Sequence, residues 1–204
     1  MAYPDFTLES AETELGLTTR GADLFPGLEP SPVPERLQET LSQRTQLALI
    51  SEKARSEFIV VPILIACRDL SPTPLAIFSG QRLDVDPARG LVSECDFILA
   101  VGPPVPPLRA PIATIVEAKK NDIEVGLGQC VAQMVAARLF NENAGLMASP
   151  IYGCVTTGEV WQFLQLVDDS VLIDDRRHYL DNVGTILAAI AMMVASAHQP
   201  GSTL

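Results

Sequence analysis

CDFILA at residues 95–100 and IATIVEAKK at 112–120, joined by the proline-rich VGPPVPPLRAP at 101–111, decide how this chain folds. Both are apolar runs of strand length, bounded by turn formers, and a short loop between two such runs makes an antiparallel pair. Successive side chains on a strand point to opposite faces. Glu117 and Lys119 therefore emerge together beside Ile115, while Val116 and Ala118 point the other way. A tight meander brings Asp96, set between Cys95 and Phe97, beside Glu117. Two carboxylates at that separation form a hard oxygen site suited to Mg²⁺, completed by water, a substrate phosphate and a backbone carbonyl such as that of Ala118.

Working outward, residues 1–34 are acidic, hold five prolines and show no sustained periodicity, so they are read as an irregular arm. From Glu35 to about Ile65 apolar residues recur at three- and four-residue steps, predicting a helix that Pro62 kinks or ends. Strands are expected at 75–79, 83–85, 91–100 and 112–119, then a helix at 126–141. Two further strands at 151–156 and 160–166, a short one at 171–173 and an apolar helix at 183–197 complete the order. This pattern predicts an α/β (α+β) domain over 35–204, with a central mixed β-sheet flanked by helices.

Asp96, a spacing of 21, and then Glu117-Ala118-Lys119 resemble the signature of the PD-(D/E)XK nuclease superfamily, an Asp followed after a variable gap by Glu or Asp, one residue, and Lys. The resemblance covers roughly residues 50 to 166 and implies a restriction endonuclease-like core. EKARSEFIVVPIL at 52–64 is similar to the leading helix of the N-terminal nuclease domains of type I restriction subunits, where a Glu contributes to the site. Glu52 and Glu57 are both candidates. Glu57 is favoured because it shares a helical face with Ile50, Ala54, Val61 and Leu64; its plain alternative is an ion pair with Lys53 or Arg55. In GLGQCVAQM at 126–134, Gln129 and Gln133 stand one turn apart, and Gln129 resembles the glutamine that follows the strand in several branches of the superfamily. The bland reading of both is a structural bridge. What the resemblance implies chemically is that Asp96, Glu117, the Ala118 carbonyl and Glu57 hold Mg²⁺, for which Mn²⁺ substitutes. Lys119 and Gln129 would then act on the scissile phosphate or the attacking water, without a covalent intermediate.

Composition bounds these readings. In 204 residues the formal net charge is -11, which excludes a generic basic coat for nucleic acid; the 46–130 segment is the least acidic third and holds most of the bases. An anionic substrate, DNA by expectation, should meet that segment, with a rim drawn from Arg55, Arg82, Arg109, Lys119 and Lys120. With 48% hydrophobic and 19% charged residues, the chain is not disordered as a whole. Cys67, Cys95, Cys130 and Cys154 form no CxxC pair and are read as buried thiols, and the two histidines, His178 and His198, as surface residues without a role. Gly126-Leu127-Gly128 lacks the third glycine of a dinucleotide fingerprint. No secretory signal is recognisable at the N-terminus, so a cytoplasmic protein is expected. The apolar stretch at 183–197 is short for a bilayer and must be buried by the sheet or by a second copy, so a homodimer is expected and a membrane partner is not. The expectation is a Mg²⁺-dependent DNA nuclease; the alternative is a nuclease-like binding or regulatory module that no longer cuts.

Overall fold

The computed structural model describes residues 1–146 and 150–197. It is an α/β fold built on one eight-stranded mixed sheet. The strands are β1 (Thr18–Ala22), β2 (Leu75–Arg82), β3 (Glu94–Val101), β4 (Ile112–Ala118), β5 (Ile151–Thr156), β6 (Val160–Val167), β7 (Ser170–Asp174) and β8 (His178–Tyr179). Their spatial order is β1-β7-β6-β5-β4-β3-β2, with β8 also paired to β6. β4 and β5 are parallel, as are β1 and β7; the other neighbours are antiparallel. Every residue of β4 is buried, the mark of a central strand covered on both faces.

The helices are α1 (Leu8–Leu15), α2 (Glu35–Ser42), α3 (Glu52–Arg55), α4 (Val61–Leu70), α5 (Ile123–Asn143) and α6 (Val183–Ala197). Helix α5 is the crossover between β4 and β5. Its first turn is capped by Asp122, whose side chain accepts from Glu124 N at 3.0 Å. At its far end Asn141 takes both the N–H and the C=O of Ile112, at 2.8 and 2.9 Å, and so clamps the start of β4 to the helix. One face of the sheet is covered by α5 and α1, the other by α4 and α6.

Residues 1–34 are not an irregular arm. Tyr3, Phe6, Ala11, Leu15, Leu17 and Phe25 are buried in the two cores, α1 lies on α5, and β1 adds an edge strand beside β7. Prolines obscured this because they fall before and after α1 and β1, not inside them. Gly128 makes the crossing possible: a β-carbon there would stand 2.2 Å from the backbone carbon of Thr7.

The single helix expected from Glu35 to about Ile65 is broken, with α2 ending at Ser42 and a second helical stretch starting at Glu52. Within that stretch Ser56–Val60 forms a π turn, in which Val61 N–H donates to Ser56 O, five residues back. Pro62 has no N–H and its ring crowds the carbonyl four residues earlier, and one extra residue in the preceding turn relieves this. No strand forms at 83–85, where Leu83 and Val85 donate to the carbonyls of Ser93 and Leu91, and the one bridge here joins the next residue, Asp86, to Leu91; β8 was not foreseen. Helix α6 is covered by this chain's own sheet and by α4, so its burial needs no second copy; Ala191, Met192 and Ala195 remain exposed. Together with the turn before it, Leu180–Ala197 is long and apolar enough to cross a membrane, but more than half of it is buried in this fold, as in a core helix.

Candidate active site

β3 and β4 pair with Phe97 opposite Val116 and Ile98 opposite Ile115. One further step in that register places Asp96 across from Glu117. The two strands are tied at this point, because Asp96 Oδ2 accepts the N–H of Ala118 at 2.7 Å. Lys119 continues the β4 direction, donating its N–H to Thr156 O at 2.7 Å, and its side chain turns back over the acids. Its Nζ donates to Glu117 Oε1 at 2.7 Å and to Gln129 Oε1 at 2.9 Å. From the next turn of α5, Gln133 Nε2 donates to Glu117 Oε2 at 3.0 Å. Asp96, Glu117, Lys119 and Gln129 are therefore brought together, and Gln133 joins them.

Burial governs the electrostatics. Glu117 is 1% exposed. Desolvation and the neighbouring Asp96 push its carboxyl up to about 7, against the opposing pull of Lys119 and the hydrogen bonds from Lys119 and Gln133. Asp96 is raised as well, by burial, and only partly restrained by the Ala118 N–H and Lys119. For Lys119, burial alone would lower the ammonium, but Glu117 and Asp96 outweigh it and the net direction is upward. Two raised carboxylates beside one ammonium are a poised set: a divalent cation would favour their ionised forms. The Oε1 of Gln133, fully buried, has no hydrogen-bond partner.

A cleft of about 280 Å³ opens in front of Asp96, between the leading helix and β2, with Glu52, Ser56, Glu57 and Ser79 among its walls. The two glutamates differ within it. Glu52 is close enough for its charge to be felt at Lys119. Glu57 does not point inward as its helical phase suggested: the π turn rotates the buried face onto Ile59, Val60 and Ile63, leaving the Glu57 side chain 52% exposed and 3.8 Å from Lys53. The ion-pair alternative is the one realised. A larger groove, about 490 Å³ between α2 and α4, is mostly apolar and meets the site's cleft through Glu57 and Val61. It lacks the chemistry of the smaller cleft.

The donor set fits a hard cation. Among the described residues no three His, Cys, Asp or Glu side chains form a ready-made metal cluster. An ion held by Asp96 and Glu117 would draw its other ligands from water and substrate, the habit of Mg²⁺. The electropositive rim is thinner than expected. Arg55 is spent on the carbonyls of Leu49 and Thr157, both at 3.2 Å, and Arg82 on Asp84 at 2.9 Å. Arg109 lies in the loop entering β4, at the end opposite Glu117. Lys120 is exposed beside Lys119, and Lys53, which was not counted in the expected rim, lines the cleft.

His178 is partly buried rather than on the surface: its Nε2 lies 2.8 Å from Asp174 Oδ2 and its ring packs on Phe25 and Phe163. It belongs to the β7–β8 corner and is not part of the Asp96–Glu117 group; His198 lies outside the described residues. All four cysteines are free and buried. Sequence reasoning underrated Glu52 and Gln133. The four-residue step from Gln129 was the available signal for Gln133, and Ser56 and Ser79 left none.

No protein-family model matches this chain, and no curated protein matches it at a significant level.

Proposed function

We propose that this chain is a metal-dependent nuclease of the PD-(D/E)XK type, with a restriction endonuclease-like core, that hydrolyses phosphodiesters of DNA in the cytoplasm. The observation that carries the reading is the convergence of Asp96, Glu117 and Lys119 from two adjacent strands, with Asp96 facing a cleft and Gln129 bracing Lys119. A bound Mg²⁺ or Mn²⁺ would polarise the phosphodiester and lower the pKa of its water. Asp96 and Glu117 would hold it, with the Ala118 carbonyl and Glu52 as further oxygens in this reading. Lys119 supplies a positive charge where the phosphorane becomes more negative, and Gln129 fixes where that charge sits. Gln133 holds the second oxygen of Glu117 and so its orientation.

A second reading, a nuclease-like module that binds without cutting, is favoured by one feature. Both oxygens of the nearly inaccessible Glu117 are already satisfied by Lys119 and Gln133. The test is cleavage of linear, circular and single-stranded DNA by purified protein with Mg²⁺ or Mn²⁺, beside Lys119→Ala and Asp96→Ala. Activity lost in both variants supports the nuclease. Inactivity of the wild type, with no heat of Mg²⁺ binding in calorimetry, defeats it; Mg²⁺ binding without cleavage turns the choice to the module.

A further inference from the structure

Gly126 stands within α5, where glycine destabilises a helix relative to alanine, so its presence calls for a local reason. The reason is space. A β-carbon at this position would lie 2.6 Å from Val155 Cγ1, 3.0 Å from Lys119 Cγ and 3.2 Å from Lys119 Cε. Lys119 leaves the end of β4 and must turn back across the first turns of α5 to reach Glu117 and Gln129. Its aliphatic stem therefore rests where a side chain of residue 126 would be.

We propose that Gly126 is a positioning residue: the bare helix surface it leaves is the seat of the Lys119 stem and fixes the ammonium between Glu117 and Gln129. The functional part of this rests on the reading of Lys119 as the ammonium of a phosphodiester-cleaving centre; the seat itself does not. Any larger residue at 126 lifts the stem away from the helix. The Nζ sits 2.7 Å from Glu117 and 2.9 Å from Gln129, so a displacement of the stem is felt at both contacts. Val155 shares the crowding, so a Gly126→Ala protein is strained at two contacts and Gly126→Ala/Val155→Ala only at Lys119.

The experiment follows the lysine ammonium groups by ¹H–¹⁵N correlation spectroscopy of the whole protein, since an ammonium held in two hydrogen bonds exchanges slowly enough to be seen. Lys119→Arg assigns the signal by its loss. The signal should be present in wild type and Val155→Ala, and displaced or broadened away in both Gly126 variants. Mg²⁺-dependent cleavage should fall roughly 10- to 100-fold in kcat, with KM little changed, in the double variant and not in Val155→Ala. An unaltered Lys119 signal in the double variant overturns the seat. A normal kcat despite a displaced signal overturns its role in positioning for catalysis. A wild type that cleaves nothing overturns the nuclease reading alone, because the spectrum decides the seat without any turnover.

Discussion

The raised carboxyl of Glu117 makes the stability of the metal-free protein depend on pH in an unusual sense. Glu117 titrates at about 7 in the folded chain against an ordinary 4.5. Between those values the folded chain keeps a proton that the unfolded chain has released, so raising the pH favours unfolding. Integrating the difference from pH 5.5 to pH 8 gives a loss of about 2 kcal/mol. Asp96 is shifted in the same direction and adds to the loss. Lys119, raised from 10.5, stays protonated in both states across this range and leaves the slope alone. With a urea dependence of about 2 kcal/mol per molar, the unfolding midpoint in EDTA should drop by about 1 M between pH 5.5 and pH 8. Glu117→Gln should flatten most of that drop. Mg²⁺ at millimolar concentration should restore the wild-type midpoint at pH 8, because it binds the ionised pair in the folded chain only. A chelated wild type that gains stability over this interval, or an equal drop in Glu117→Gln, would refute the electrostatic account of the site.

Other substitutions separate the remaining contributions. Glu52→Gln should weaken Mg²⁺ binding roughly tenfold in calorimetry, as expected of a carboxylate at the edge of a metal site, whereas Glu57→Gln removes only a surface pair and should leave it nearly unchanged. Asn141→Ala strands the buried N–H and C=O of Ile112 and should cost about 3 kcal/mol in urea unfolding. Removing residues 1–17 takes Tyr3, Phe6, Leu15 and Leu17 out of the core, on the order of 6–12 kcal/mol of burial, the scale of a whole domain's stability. The shortened chain should show no cooperative melting transition by calorimetry.

The centre of the fold was legible because it rests on local, strongly patterned text. β4, β5, β6 and α5 sit close to where alternation, helical spacing and turn residues placed them, and a two-strand meander was enough to bring Asp96 to Glu117. What escaped depended on partners remote in sequence. β1 is a short, mostly exposed strand that exists only because β7 offers it an edge, and nothing in TTRGA announces that. The inward Glu57 failed for a different reason. A constant 3.6-residue period was carried through a segment where a proline forces a wider turn, and one inserted residue is enough to change the face. The rim of arginines failed because charge along the sequence says nothing of which carbonyls or aspartates will claim each guanidinium.

The parallel pairing of β1 with β7 joins positions 152 residues apart, Thr18 beside Ser170. On a ribosome adding 5–20 residues per second, β1 waits about 8 to 30 s before β7, its neighbour in the sheet, has been synthesised. During that interval the segment has no strand to lie against, and the buried residues just before it lack most of α5 as well. Closure of this edge is thus a late event in biosynthesis, with the β2–β3–β4 meander free to form earlier from contacts much closer in sequence. The segment that carries β1 is thus fastened long after it emerges, because the strand that closes its edge lies far downstream.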